Sequence, residues 1–272
     1  MTTPPSDDAQ KINALLDIMA RLRAPDGGCP WDLEQDFKTI APYTVEEAYE
    51  VADAIERDDM NGLKEELGDL LFQTVFHAQM AKEAGLFSFG DVADAISQKM
   101  IRRHPHVFAD VDMRTAEEQT DAWEEQKANE RAAKGDDGLL ADVPAGLPGL
   151  TRAVKLQKRA GRVGFYWPDA RSVLDKIAEE TEELNEAMTS GDKDHIEEEF
   201  GDLLFVLANL SRHLDIDPEG ALRRANQKFI RRFNHIEKTF KARGESLAEA
   251  SLDAMEAVWD EAKALDKTRQ KA

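Results

Sequence analysis

The sequence is poor in cysteine and in long apolar runs, and each shortage excludes a class of protein. Cys29 is the single cysteine among 272 residues, so an intrachain disulfide is excluded and a reducing, cytoplasmic compartment is expected. No apolar run approaches the roughly 20 residues that a membrane helix needs. The first residues lack the basic start and apolar core of a signal peptide. The sequence therefore predicts a soluble cytoplasmic protein without membrane partners.

Common nucleotide-binding motifs are also missing. The chain contains neither the GxxxxGK[ST] phosphate loop nor the GxGxxG dinucleotide fingerprint. Lysine and arginine total 35 against 55 aspartates and glutamates, which gives a formal net charge of −20. Because a protein this acidic repels phosphate backbones, we expect no direct binding of nucleic acids. Since 42% of the residues are hydrophobic, the chain has enough apolar material for folded cores.

An internal repeat is the most informative feature of the sequence. Residues 46–72 and 179–205 share acidic, glycine and apolar positions at a constant spacing. The shared positions in the first copy are Glu46, Glu47, Glu50, Glu65, Glu66, Gly68, Asp69, Leu70, Leu71 and Phe72. Such self-similarity is typical of a tandem duplication.

The repeat determines the expected domain organisation. Residues 1–134 are the predicted N-terminal repeat and residues 151–272 the C-terminal repeat, with a glycine- and proline-rich linker at 135–150. Apolar residues recur at helical spacing, and no segment alternates apolar and polar residues for long enough to indicate a sheet. We therefore predict an all-α fold in which a helical bundle is duplicated.

Local signals predict where some of the helices begin and end. Residues 10–23 carry apolar positions at the spacing of an amphipathic helix. Thr44 is the predicted N-cap of the helix that carries Glu47. The predicted breaks are Asn61–Gly62 in the first copy and Ser190–Asp192 in the second, and each allows the next helix to run back antiparallel.

Four carboxylates of the C-terminal copy are spaced to meet between two such helices. Glu180 and Glu183 share one helix face, as do Glu199 and Asp202 on the next helix. Because close carboxylates repel one another, a hard divalent cation, Mg²⁺ or Mn²⁺, is the expected occupant. A solvated acidic face is the alternative, but the pattern occurs twice, and the apolar residues 203–205 predict burial beside it. The corresponding acids of the N-terminal copy are Glu47, Glu50, Glu66 and Asp69.

Basic and aromatic residues of the C-terminal copy could complete a polyphosphate site. Lys176 lies on the same helix face as the first acidic pair. Lys228 and Arg232 are four residues apart, with Arg231 beside them, and are either phosphate contacts or part of a solvated face. Trp259 either stacks on a base or belongs to the core.

The pattern EExxE followed by ExxD resembles the signature of the all-α nucleoside triphosphate pyrophosphohydrolases, and the tandem arrangement is similar to that of the MazG family. The resemblance covers essentially the whole chain and is carried by GCPWDLEQDFKTIAPYTVEEAYE, GDLLFQTVFHAQMA, RRHPHVFAD, GFYWPDA and GDLLFVLANLSRHL. It implies a homodimer of helical bundles that requires Mg²⁺. The implied reaction is hydrolysis of nucleoside triphosphates, including deoxy and non-standard ones, to the monophosphate and pyrophosphate.

The resemblance also implies a role for each site residue. The four acids of each copy would hold the metal, and Glu179 or Glu180 would accept a proton from the attacking water. The implied nucleotide contacts are Lys176, Lys228, Arg231, Arg232 and Trp259. Since Tyr43 stands where the N-terminal copy would match Lys176, we predict that the C-terminal copy is the main catalytic site.

Two other classes of function are open at this stage. The chain could be a non-enzymatic helical dimer that binds a nucleotide or a protein partner. It could also be a regulatory switch that binds a triphosphate without cleaving it. Neither would release pyrophosphate in a metal-dependent reaction, whereas the enzyme would.

Overall fold

The computed structural model describes residues 7–109, 115, 138–141 and 143–269, and within these ranges every regular element is helical. The predicted all-α fold is confirmed. The chain divides into two compact units, Met1–Asn129 and Glu130–Ala272. Residues 135–137 and 142 of the predicted linker lie outside the described residues, and the end of that linker already belongs to a helix that begins at Gly149.

In the first unit, helices pack on the long helix α4. The helices are α1 (Asp7–Leu22), α2 (Pro30–Glu34), α3 (Phe37–Glu56), α4 (Met60–Glu83), α5 (Phe89–Arg103) and α6 (Pro105–Phe108). Helices α1, α3 and α5 each contact α4. The core where they meet consists of the buried residues Met19, Ile40, Val75, Phe76 and Met80. Helix α1 confirms the helix predicted at 10–23.

Helix α3, which carries the first acidic pair, begins earlier than predicted. Its N-cap is Asp36, whose carboxylate accepts a hydrogen bond from the Thr39 backbone N–H at 2.9 Å. The Thr39 hydroxyl accepts in return from the Asp36 backbone N–H at 2.9 Å, which completes a capping box. The prediction that Thr44 caps this helix is therefore wrong. The helix already runs through Pro42, and the Thr44 hydroxyl lies 3.1 Å from Nε2 of His77 on α4.

The turn between α3 and α4 comes before the predicted break. It consists of residues 57–59, with Asp58 in the left-handed region at a φ of 54°. Asn61 and Gly62 therefore lie inside the first turn of α4, and the predicted break at these residues is wrong. The Gly62 backbone N–H donates to the Asp59 carboxylate at 2.9 Å, and a Cβ here would stand 2.7 Å from Asp59 Oδ2. The glycine leaves room for the capping carboxylate of Asp59 and does not mark a break.

The second unit contains the second pair of acid-bearing helices. Its helices are α7 (Gly149–Gly161), α8 (Ala170–Ser190), α9 (Lys193–His213), α10 (Pro218–Arg243) and α11 (Leu252–Arg269), with a 3-10 turn at Leu247–Glu249. Helices α7 and α8 pack on α9, while α10 packs on α11 and contacts α7. A core of Ile236, Phe240 and Val258 joins α10 to α11. No helix in the described part of the chain is long and apolar enough to cross a membrane.

The break between α8 and α9 lies where the sequence predicts it. Helix α8 ends at Ser190, and Gly191 adopts a φ of 73°, a left-handed conformation that glycine takes without strain. The Asp192 carboxylate accepts a hydrogen bond from the Asp194 backbone N–H and so caps α9. The chain therefore reverses within two residues, and α9 runs back along α8.

Helix α9 leaves one apolar side exposed. Phe200, Leu204 and Leu207 share this side and are 53%, 40% and 42% exposed. Phe205 is also exposed, whereas Leu203 is half-buried, so the prediction that residues 203–205 are buried is wrong for Leu204 and Phe205 within this unit. The reason is that α7 and α8 cover the side of α9 that carries Val206, which is buried.

Candidate functional site

The acids of the C-terminal copy meet between α8 and α9. Carboxylate oxygens of Glu180, Glu199 and Asp202 lie within 4.8 Å of one another. Glu180, on α8, is only 5% exposed, whereas Glu199 and Asp202 lie one turn apart on α9. Glu183 borders this group, and burial, followed by the charges of Glu180 and Glu199, raises its pKa against the opposing effect of a nearby lysine. Three of the four predicted acids therefore converge, and the fourth lies beside them.

Lys176 supplies positive charge to this acidic group. Its Nζ lies 2.8 Å from Oε1 of both Glu179 and Glu180 and 3.9 Å from Glu183 Oε2. Hydrogen bonds to Glu179 and then to Glu180 raise the pKa of the lysine well above its usual range. The ammonium group is therefore charged at neutral pH, and it neutralises part of the acidic group.

The N-terminal copy forms the same kind of acidic group between α3 and α4. Oxygens of Glu47, Glu66 and Asp69 lie within 4.8 Å of one another. Burial, then the charge of Asp69 and a hydrogen bond with Glu50, raises the pKa of Glu47. Burial, then the charges of Glu50 and Asp69, raises the pKa of Glu66. Glu50 thus borders this group as Glu183 borders the other.

The two copies differ at the position of the lysine. The N-terminal copy has Tyr43 there, and its ring packs edge-on against Trp31 with the ring centroids 6.2 Å apart. Arg57 lowers the pKa of Glu66 less than burial and the neighbouring acids raise it. The Arg57 Nε lies 2.8 Å from Asp53 Oδ2. The first copy therefore places an aromatic ring, that of Tyr43, rather than an ammonium group on the helix that carries Glu47.

Both acidic groups have the chemistry of a site for a hard cation. Every donor is a carboxylate oxygen, the ligand that Mg²⁺ and Mn²⁺ prefer. The oxygens of each group are close enough to bind a single cation together. Carboxylates at this separation repel one another, which contributes to the raised pKa values of Glu47 and Glu66. A divalent cation removes that repulsion, so the residues present fit the predicted metal.

The predicted basic residues of α10 lie against α11 rather than against the acids. Nε of Arg231 and Nε of Arg232 lie 3.0 Å and 2.8 Å from the two carboxylate oxygens of Asp266. Hydrogen bonds from Arg231 and then Arg232 lower the pKa of Asp266 to about 2. Lys228 is exposed on α10, one turn before Arg232. Within the described residues, none of these three cations forms an ion pair with the acidic group on α8 and α9.

Trp259 lies on α11 at the edge of the core that α10 and α11 share. The Arg232 guanidinium carbon lies 5.5 Å from the centroid of its ring, within cation–π distance. The ring of Phe229, which is exposed, lies 5.4 Å from that of Trp259. Both alternatives for Trp259 are thus compatible with its position, because one part packs on the core while another adjoins exposed groups.

Three residues near the arginines were not predicted. Asp266 follows Trp259 by seven residues, a spacing that places both on one side of α11. His235 and Lys238 follow Arg231 by four and seven residues and so continue the same side of α10. These helical spacings are the signals by which the sequence could have revealed them.

Comparison with known proteins relates both acid-bearing segments to one family. The domain described as the MazG nucleotide pyrophosphohydrolase domain matches residues 35–108 and 169–237, which together make up more than half of the chain. The first range contains α3, α4 and α5, and the second contains α8 and α9 with most of α10. Both acidic groups therefore lie inside the matched segments.

Relatives that match most of this chain show the same similarity. A protein of Escherichia coli (strain K12) named nucleoside triphosphate pyrophosphohydrolase is 52% identical over 255 residues, which cover 93% of this chain and 97% of that protein. A Thermotoga maritima protein named nucleoside triphosphate pyrophosphohydrolase/pyrophosphatase MazG is 42% identical over 93% of this chain and 96% of its own length. A Mycobacterium tuberculosis protein named nucleoside triphosphate pyrophosphohydrolase is 31% identical over 89% of this chain and 64% of its own.

Proposed function

Since the chain belongs to the MazG nucleotide pyrophosphohydrolase family, we propose that it hydrolyses nucleoside triphosphates to the monophosphate and pyrophosphate. The observation that carries the proposal is the position of Lys176 within the acidic group of the C-terminal copy. Carboxylate oxygens that suit a divalent cation and an ammonium group that suits a phosphate oxygen lie in one site. Both help to bind a triphosphate and to stabilise the charge that develops on it.

The metal would be held by the converging acids. We assign Mg²⁺, with Mn²⁺ as a possible substitute, to Glu180, Glu183, Glu199 and Asp202 in the C-terminal copy. The N-terminal copy offers Glu47, Glu50, Glu66 and Asp69 for the same purpose. When bound, the cation would neutralise triphosphate charge and lower the pKa of a coordinated water.

Glu179 and Glu180 have different surroundings, which suggests different roles. The Glu180 side chain is 7% exposed and converges with the other acids, whereas the Glu179 side chain is 58% exposed. We therefore assign Glu180 as a metal ligand and Glu179 as the general base that accepts a proton from the attacking water. Lys176 contacts both carboxylates, and its three N–H donors can turn to a phosphate oxygen without leaving Glu179.

We propose that the C-terminal copy is the main catalytic site. Its acidic group includes Lys176, whereas Tyr43 occupies the corresponding position of the N-terminal copy. A phosphate oxygen that approaches the N-terminal acids would therefore meet a phenol rather than an ammonium group. Phenol hydroxyls donate one hydrogen bond and carry no charge at neutral pH, so binding of a triphosphate should be weaker there.

We further propose that the protein is a homodimer. The apolar side of α9, formed by Phe200, Leu204 and Leu207, is exposed in the unit that carries it. Exposed apolar surface of this kind is typical of an interface. Because the acids Glu199 and Asp202 lie on the same helix, a partner on this side would stand close to the catalytic group.

The proposal is tested by measuring pyrophosphate release from a panel of canonical, deoxy and modified triphosphates. The reaction is run with Mg²⁺ and with EDTA, on the wild-type protein and on Glu180→Gln and Glu47→Gln. We expect Mg²⁺-dependent release that falls at least about a hundredfold in Glu180→Gln and remains near wild type in Glu47→Gln. Equal losses in the two variants would contradict the assignment of the main site. A folded wild-type protein that releases no pyrophosphate would contradict the enzymatic function.

A further inference from the structure

His195 lies beside the acidic group of the C-terminal copy but has none of the roles assigned above. It stands in the first turn of α9, and its Nε2 lies 3.1 Å from Oε1 of Glu199, one turn further along the helix. The Glu199 side chain is only 16% exposed, whereas that of His195 is 47% exposed. Because an ionised carboxylate only accepts hydrogen bonds, Nε2 of the imidazole is the donor in this pair.

The acids of α8 and the acid Glu199 of α9 have different hydrogen-bond partners. Lys176 contacts Glu179 and Glu180 on α8, whereas His195 contacts Glu199 on α9. Since His195 and Glu199 belong to one helix and are four residues apart, their contact follows from the helical turn. It therefore does not depend on how α8 packs on α9 or on what Lys176 binds.

The N-terminal copy has a glycine where the C-terminal copy has this histidine. Gly62 precedes Glu66 by four residues, as His195 precedes Glu199, and a glycine offers no side-chain donor to Glu66. A Cβ at Gly62 would stand 2.7 Å from Oδ2 of Asp59, because the Asp59 carboxylate accepts a hydrogen bond from the Gly62 backbone N–H. The N-terminal copy therefore has no room for an imidazole at this position.

The cap of α9 differs in a way that admits the imidazole. Asp192 corresponds to Asp59 in the repeat, and its carboxylate accepts a hydrogen bond from the Asp194 backbone N–H at 3.1 Å. Asp194 is the second residue of α9, whereas Gly62 is the third residue of α4. The third residue of α9 is His195, and it carries a side chain that reaches along the helix to Glu199.

We propose that His195 is a positioning residue that orients the Glu199 carboxylate for the divalent cation of the C-terminal copy. A hydrogen bond to a metal-ligating carboxylate restricts its rotation and so strengthens metal binding. Each carboxylate has two oxygens, so Glu199 can accept from the imidazole with one and bind the cation with the other. The inference rests on the proposed hydrolytic function, because it takes Glu199 as a metal ligand of that reaction.

Loss of the imidazole should weaken cation binding more than it slows the chemical step. His195→Ala leaves the proposed metal ligands and Lys176 in place, so the Mg²⁺ concentration for half-maximal pyrophosphate release should rise about tenfold, with kcat at saturating Mg²⁺ within about twofold of wild type. His195→Gln carries an amide donor that can reach a carboxylate one turn away. It should restore the wild-type Mg²⁺ requirement.

Binding of Mn²⁺ without nucleotide, followed by electron paramagnetic resonance, gives a readout that is independent of catalysis. The host is Glu47→Gln, which removes an acid of the N-terminal copy so that the C-terminal copy is measured. We expect the Kd for Mn²⁺ to rise about tenfold in His195→Ala and to return to the host value in His195→Gln. Lys193→Ala is the matched control, because Lys193 is exposed in the same turn but two residues away, on the other side of α9. It should leave the Kd unchanged.

The outcomes separate this proposal from the hydrolytic function, once circular dichroism shows that each variant is folded. If Glu199→Gln does not weaken Mn²⁺ binding in the same host, the assignment of the metal site fails, and the role of His195 fails with it. If Glu199→Gln weakens binding but His195→Ala does not, the proposal is overturned while the metal site stands. Equal weakening by His195→Ala and His195→Gln also overturns it, because a hydrogen-bond donor would then not be what Glu199 requires.

Discussion

At the scale of single residues, Lys176 separates the two copies most clearly. Its ammonium group lies within hydrogen-bond distance of Glu179 and Glu180, so Lys176→Gln removes the ammonium charge that these acids contact. We expect kcat/KM for pyrophosphate release to fall about a hundredfold. Free Mg²⁺ should bind more tightly to the variant, because no cation competes for the carboxylates. Release assays and thermal shifts with Mg²⁺ check both effects, and Lys241→Gln, an exposed lysine on α10, should change neither.

The raised pKa of Glu47 gives a prediction for stability at different pH values. Burial and the neighbouring carboxylates penalise its ionised form in the folded state. The penalty opposes folding above the raised pKa and disappears as the pH falls through that pKa toward the ordinary value of 4.5. In EDTA, Glu47→Gln should therefore raise the Tm at pH 8, and the difference should vanish near pH 4.5.

Thermal unfolding between these pH values measures the effect. Glu46→Gln is the matched control, because Glu46 is exposed on the same helix and lies outside the acidic group. It should change the Tm little at either pH. A lower Tm for Glu47→Gln at pH 8 would show that the ionised carboxylate stabilises the metal-free protein.

Sequence spacing predicts residues on one helix better than residues on two. Glu180 and Glu183, and likewise Lys176 and Glu180, are one helical turn apart in the sequence. Their closeness on one helix face could therefore be predicted. The pairing of Arg231 and Arg232 with Asp266 could not, because it depends on how α10 packs on α11 across the turn between them.

At the scale of helices, the turn between α8 and α9 brings the C-terminal acids together. Gly191 has a φ of 73°, which strains any residue with a side chain, so Gly191→Ala should cost about 1 kcal/mol of the free energy of unfolding. Gly149→Ala is the control, because this helical glycine has open space where a Cβ would lie and its φ is not positive. Chemical denaturation should show a loss for the first variant only, and equal losses would mean that the left-handed conformation is not what requires Gly191.

The same scale shows where local signals mislead. Gly191 and Gly62 both follow an acid-bearing helix, yet only Gly191 ends one. A glycine indicates either a left-handed residue or a close approach, and the sequence alone does not distinguish them. At Gly62 the φ is not positive, and the Asp59 carboxylate lies close to where a Cβ would stand. Thr44 misled for a related reason, since its hydroxyl contacts His77 on another helix rather than a helix end.

At the scale of the whole molecule, the exposed side of α9 bears on assembly. If Phe200, Leu204 and Leu207 form the interface of a homodimer, a charge at their centre must be buried without a partner, which is costly. Leu204→Glu should therefore yield a monomer in size-exclusion chromatography with light scattering. Leu252→Glu, at a more exposed position on α11, is the control and should leave the mass unchanged. A wild-type monomer, or a Leu204→Glu dimer, would contradict this interface.

The position of Lys176 also bears on the order in which ligands arrive. Free magnesium would compete for the C-terminal carboxylates with the Lys176 ammonium group, which contacts Glu179 and Glu180. In a magnesium–nucleotide complex, a phosphate oxygen would replace these carboxylates as the partner of the ammonium group, so cation and nucleotide would strengthen each other's binding. The C-terminal site would then recognise the complex as one ligand and remain largely empty at resting magnesium concentrations. The N-terminal site, with Tyr43 in place of the lysine, would load with the cation alone.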